Sequence, residues 1–144
     1  MDVAVLPSTR SIGTTDTLLG LMAFVSQKVH KLTSNEYAGL TDGEIFDGVH
    51  CLSLYPRFEK SLEHLDFEQI GDSWCSAAIA DFLFQAGTWG LIQKYGFHIS
   101  YVNPDLAMQR IERLRREYGQ ETINVLEEMA DALIKTTKRY QQVA

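Results

Sequence analysis

Cysteine is scarce in this chain. Two residues in 144, Cys51 and Cys75, are too few for a disulfide scaffold. Reduced thiols in the cytoplasm are therefore the default expectation. Proline is scarce as well. Three prolines and no Ser/Gly-rich run leave no linker, so a single domain over residues 1–144 is expected. No internal repeat recurs at a period of roughly 20–50 residues. Long apolar runs are also missing. "TLLGLMAFVSQKV" is shorter than the roughly 20 apolar residues of a membrane helix and is interrupted by Lys28. The start, "MDVAVLPSTRSIG", has no basic stretch followed by an apolar block, so no secretory signal is expected.

Basic residues are few in the middle of the chain. Ten acidic residues lie between Glu36 and Asp81, opposed only by Arg57 and Lys60, and the net charge is −6. Direct nucleic-acid binding needs a basic footprint, so that class is not expected. Phosphate-binding glycine loops and the G-x-S-x-G elbow are absent. His30, His50, His64, His98 and the two cysteines show no zinc-finger or H-E-x-x-H spacing. Glu63 adjoins His64, which is not the Glu-x-x-His of di-iron bundles. Neither a metal nor a cofactor is expected.

What is present is mostly helical patterning. A short strand, "VAVLP", comes first. Next, Leu18, Leu21, Met22, Val25 and Val29 follow helical spacing, with Thr14 or Thr15 as cap and an end near Thr33. "TSNEYAGL" reads as a loop. Thr41 and Glu44 have capping-box spacing before Ile45, Val49 and Leu52, although Gly43 and Gly48 weaken that helix. Pro56 can open a helix over "PRFEKSLEHL" that turns Phe58, Leu62 and Leu65 inward. "FHISYV" is the other candidate strand, and it can pair with "VAVLP". Asn103 and Pro104 open a helix that Gly119 stops. The final helix, 121–141, carries Ile123, Leu126, Ala130, Leu133, Ile134 and Thr137 on one stripe. The expected fold is mainly α: one bundle-like globule of five to six helices with at most a two-stranded ribbon.

"GDSWCSAAIADFLFQAG" raises the one catalytic question. With Asp72 or Ser73 as cap, Cys75 falls in the first turn of a helix that runs through Gly87 and either ends there or continues to "LIQKYG". Free amides and the helix dipole favour a thiolate at such a position. A nucleophilic thiol also needs a base, and His98 on "FHISYV" is the candidate. "SWCSAAIADFLFQAG" resembles the nucleophile helix of the cysteine amidases of the CHAP and related classes, which cleave peptidoglycan peptides. "GFHISYV" is similar to their glycine-histidine strand. The resemblance implies Cys75 as nucleophile and His98 as base. The chain departs from that class in its short Cys-to-His interval, in the helical pattern after His98, and in the lack of an orienting third residue other than Asn103. A fainter similarity links "ADFLFQAGTWGLIQK" to the helical peptidoglycan-binding region of some phage muramidases, without their catalytic glutamate. Against both stands the apolar face Ile79, Phe82, Ala86 at helical spacing from Cys75, which makes the thiol a core residue.

Two further features bear on partners. Arg110, Arg113, Arg115 and Arg116 form the one basic concentration, either a solvated face paired with Glu112 and Glu117 or a docking patch. Trp74, Phe82, Phe84 and Trp89 are dense for 16 residues. Core packing is the first expectation, but not all four can face one core, and exposed aromatics mark interfaces. The sequence therefore points to a small soluble protein that acts by binding another protein with a basic patch, or a second copy of itself. Asp42, Glu44, Asp47, Trp89, Arg110 and Arg113 are the candidate contacts. A thiol hydrolase built on Cys75 and His98 is the alternative, and an acidic mimic of nucleic acid the weaker one.

Overall fold

The computed structural model describes residues 11–96 and 99–141. Helix α1, Thr14–Thr33, forms the centre, and every residue from Thr17 to Ser26 is buried. A helix covered all round needs partners on several sides. α5 (Pro104–Tyr118) and α6 (Gln120–Thr136) supply most of them. Asp16 at the start of α1 meets Arg113 and Tyr118 near the end of α5, so these two helices run antiparallel. Gly20 allows the close approach. A β-carbon there would stand 2.7 Å from Leu126 Cδ1 and 3.0 Å from Leu114 Cδ1. The cap of α1 is Gly13, in extended backbone with no side-chain bond, and not Thr14 or Thr15. The hydroxyl of Thr17 donates to Gly13 O at 2.9 Å instead.

The strands exceed the expected ribbon. β1 (Leu40–Thr41), β4 (Gln93–Tyr95) and β5 (Ile99–Tyr101) make an antiparallel sheet in the order β1-β5-β4. β2 (Glu68–Ile70) and β3 (Ser73–Cys75) make a separate hairpin. "VAVLP" lies outside the described residues. The flanks of β5 are filled by β1 and β4, so the end of "TSNEYAGL" is strand where a loop was expected. Gly39 is pressed against the carbonyl of Ser100, with no room for a β-carbon. Val102, just past β5, donates its N–H to buried Ser26 Oγ at 2.9 Å and ties the sheet to α1.

Seven α-helices are found among the described residues, more than the five to six expected. α2, Asp42–Ser53, opens with the capping box read from sequence: Thr41 Oγ1 accepts from Glu44 N, and Glu44 Oε1 accepts from Thr41 N at 2.8 Å. α3, Pro56–Leu62, begins at its proline and tightens into a 3₁₀ turn at Glu63–Leu65. α5 has the Asn103 cap, the Pro104 start and the Gly119 stop. The last helix is divided. α6 ends at Thr136, Thr137 is extended (φ −88°, ψ 112°), and α7 is the short piece Lys138–Gln141. The break lets Tyr140 reach back, and its hydroxyl donates to Gly39 O at 2.5 Å.

α4, Ala77–Thr88, starts later than the sequence reading placed it. Ser76 is the cap: its hydroxyl accepts from Ile79 N and donates to Leu65 O at 2.6 Å. Gly71, with φ 63°, makes the tight turn between β2 and β3 and takes Asp72 and Ser73 away from the helix. At the other end, Leu91 N–H donates to Ala86 O (2.9 Å) and Gly90 N–H to Gly87 O (3.2 Å). This Schellman closure, with Gly90 left-handed at φ 76°, stops the helix and sends "LIQKYG" into β4.

Candidate functional site

The thiol pair comes first. Cys75 is the last residue of β3, opposite Glu68 and one residue before the Ser76 cap. Its side chain is therefore outside the first helical turn, and the dipole argument for a nucleophile loses its geometry. The core argument needs correction as well. Ile79, Phe82 and Ala86 are buried, but Cys75 is only half-buried. His98 lies outside the described residues. Cys51, on α2, is also a half-buried free thiol.

The acidic candidates lie together on α2 but already have uses. Asp42 takes Lys94 Nζ at 2.8 Å, which ties α2 to β4. Glu44 takes both the cap N–H and the guanidinium of Arg139, at 2.7 Å. Burial works to raise the pKa of Glu44, but the hydrogen bonds from Arg139 and Thr41 prevail and hold it below its usual value. Asp47 accepts from the N–H of Trp74 at 3.3 Å. The cations that oppose this stretch come from residues 94 and 139, far along the chain.

That Asp47 bond is part of a hairpin clasp. The indole of Trp74 stacks on His50, with centroids 3.7 Å apart and planes 11° apart, and Phe67 meets the same imidazole edge-on at 5.1 Å. Trp74 is therefore half-buried against α2.

The two arginine candidates do not join this surface. Arg113 is half-buried between Asp16 (3.0 Å) and Glu117 (3.1 Å), a pairing across α1 and α5. Arg110 is half-buried, and its Nε is buried without a partner among the described residues. Arg115 pairs with Glu112. Asp42, Glu44, Asp47 and Arg113 thus already have partners within the fold.

The aromatic candidates divide sharply. Phe82 is buried in the core, whereas Phe84 is 77% exposed and Trp89 is 61% exposed. α4 is apolar on its inner face through Ile79, Phe82 and Ala86. Its outer face carries Ala77, Ala80, Phe84 and Thr88, flanked by Asp81 and Gln85. Trp89 stands at the C-terminal end of the helix as its cap residue. Ile70, which the sequence reading did not single out, is 64% exposed on the hairpin. An aromatic trio was missed too: Tyr37 stacks on Tyr95 at 4.9 Å and meets Tyr101 edge-on at 5.5 Å. Tyrosines at 37, 95 and 101 give no local signal of such a meeting, because the pairing of β1, β5 and β4 brings them together.

Among the described residues, no group of three or more His, Cys, Asp or Glu is placed to hold a metal ion, and no helix is long and apolar enough to cross a membrane. Compared with family models, curated proteins and solved structures, the chain matches none. The resemblance to cysteine amidases thus rests on the two short stretches that suggested it.

Proposed function

We propose that this chain is a binding protein, an accessory or regulatory module that docks on another protein through the outer face of α4. One observation carries the reading: Phe84, on the side of α4 that the core does not use, is 77% exposed. Exposing Phe84, and Trp89 at the end of the helix, keeps apolar area in water at about 25 cal/mol per Å², an unfavourable arrangement for a surface with no partner. Aromatic side chains are also the residues most often found at the energetic centre of interfaces. The two cysteines are free thiols, which suits a reducing compartment, and a cytoplasmic setting belongs to the same proposal. The thiol hydrolase gains no support from the place of Cys75. The nucleic-acid mimic is weakened because Asp42 and Glu44 are already paired with cations of the same chain.

The test uses the tagged full chain and a Phe84→Ser/Trp89→Ser variant as baits, with captured proteins quantified by mass spectrometry. Both residues are exposed, so the variant should melt at the parent temperature. A protein held by the parent and lost by the variant supports the reading. An identical captured set would remove this face from the function.

A further inference from the structure

Resting on that reading of α4, we infer that the partner element is an amphipathic helix with an apolar stripe flanked by lysine or arginine. The argument begins with the shape of the face. Ala77, Ala80, Phe84 and Thr88 follow helical spacing on the side opposite Ile79, Phe82 and Ala86, and all four are exposed. The small residues at 77 and 80 leave a shallow track beside a single large anchor, Phe84. A helix can lie along such a track at close approach.

Charge then selects the occupant. α4 carries no basic residue. Asp81 flanks the stripe. β3 leads into α4 through Ser76 alone, so the hairpin adjoins the N-terminal end of α4. The hairpin face opposite Trp74 carries Glu68 and exposed Ile70, and its turn carries Asp72. Asp66, Glu68, Asp72 and Asp81 form no ion pair among the described residues, in contrast to Asp42 and Glu44. The surface therefore offers an apolar track with unneutralised acid beside it. Its complement is apolar in the middle and basic along the edge. A second copy of this chain is a poorer fit, because net charge −6 opposes −6 and a two-fold axis across α4 would bring Asp81 towards its own copy.

The probe is a synthetic helical peptide of about 18 residues, five turns, with a leucine stripe flanked by lysine. A matched peptide has glutamate in place of lysine. Binding of each labelled peptide to the full chain is followed by fluorescence anisotropy at low and high salt, and light scattering reports the chain's own mass. The Lys-flanked peptide should bind, and less tightly as salt rises. Phe84→Ser should weaken it by about tenfold or more, as loss of an interface anchor does. Asp81→Lys should weaken the Lys peptide and strengthen the Glu peptide, while Glu36→Lys, on the loop before β1, should change neither. Equal binding of the two peptides would overturn the charge inference and leave α4 as a docking face. No binding of the Lys peptide at low salt would overturn the inference, as would a dimer that Phe84→Ser splits, which would make a second copy the occupant. Binding that Phe84→Ser leaves unchanged would overturn both the inference and the reading beneath it.

Discussion

Gly48 meets Leu133 where α2 lies against α6, and Leu133 Cδ1 occupies the space a β-carbon on Gly48 would need. Both residues are buried, and Leu133 is fully so. The glycine that weakened the sequence case for α2 is thus the point at which α2 and α6 come together.

Gly43, in the same helix, makes the contrast testable. The space around it is open except for Thr41 Oγ1 at 4.0 Å. Gly43→Ala should stabilise the fold by about 0.5–1 kcal/mol, the helix preference for alanine over glycine. Gly48→Ala earns the same preference but overpacks, at a cost of about 1–3 kcal/mol, so it should destabilise. Urea midpoints of the two variants should move in opposite directions. Two shifts of the same sign would mean the helix crossing is looser than the structure has it.

Leu133→Ala should cost about 2–5 kcal/mol by opening a cavity. Lys135→Ala, exposed on the same helix, should change stability by less than about 0.5 kcal/mol. Because Leu133 is what Gly48 meets, Gly48→Ala should become close to neutral in a Leu133→Ala background. A double-mutant cycle by chemical denaturation measures that coupling. Additive effects would contradict the contact.

Glu44→Gln removes the charge that faces Arg139 and weakens the capping box. Cap losses run at about 1 kcal/mol, and the Arg139 partner is partly exposed, so the total should remain near 1–2 kcal/mol. The depressed pKa of Glu44 sets the pH window. Its contribution is present above the unfolded value, about 4.3, and is lost as pH falls through the lower folded value. Denaturation series for parent and variant should therefore converge as the pH is lowered. A constant gap would assign the stability to packing alone.

What the sequence made legible was local. The Thr41–Glu44 box and the Asn103, Pro104 and Gly119 signals each involve residues within a turn of one another, and they mark the helix ends where the structure has them. Cys75 was misplaced because Asp72 and Ser73 are turn formers as well as cap formers, and a left-handed Gly71 decides for the turn. Ser76, the actual cap, also reaches Leu65 O, eleven residues back, which local spacing does not reveal. The stripe of α6 extends to Thr137, but there the backbone opens, and Tyr140 beyond it bonds back to Gly39. Pairings such as Asp16 with Arg113 and Asp42 with Lys94 depend on the assembled fold. They explain why several charges that looked available for a partner hold this chain together instead. The exposed aromatic was foreseeable in kind but not in identity: four large rings in 16 residues exceed one helix face, and the structure decides that Phe84 and Trp89 are the surplus.

Cys75 should react slowly with an alkylating reagent in the native protein. It is half-buried on β3 and outside the first turn of α4. A Cys51→Ser background isolates its signal. Labelling should accelerate in denaturant. Fast native labelling at about pH 6, where ordinary thiols with pKa about 8.5 are protonated, would restore the nucleophile and with it the hydrolase.

His30 should make the fold acid-sensitive near neutrality. Both of its ring nitrogens are shielded from solvent. Burial pushes the pKa below its usual value, against the opposing pull of the Ala38 carbonyl and Glu36. The folded imidazole therefore resists a proton that the unfolded chain accepts. Above about 6.5 both states are neutral and the stability is fully present. As pH falls below that value the unfolded state alone takes up the proton, and stability declines by at most about 1.4 kcal/mol per pH unit until the lower folded pKa is reached. His30→Leu removes the titrating group while keeping an apolar side chain of similar reach. Urea midpoints of parent and variant at about pH 7.5 and about pH 5.5, one on each side of the free histidine value, isolate its share, since the two proteins differ at that residue alone. The parent should lose more than the variant on acidification. An equal loss would mean that His30 is hydrated or paired in solution, and that the acid sensitivity of the fold arises elsewhere.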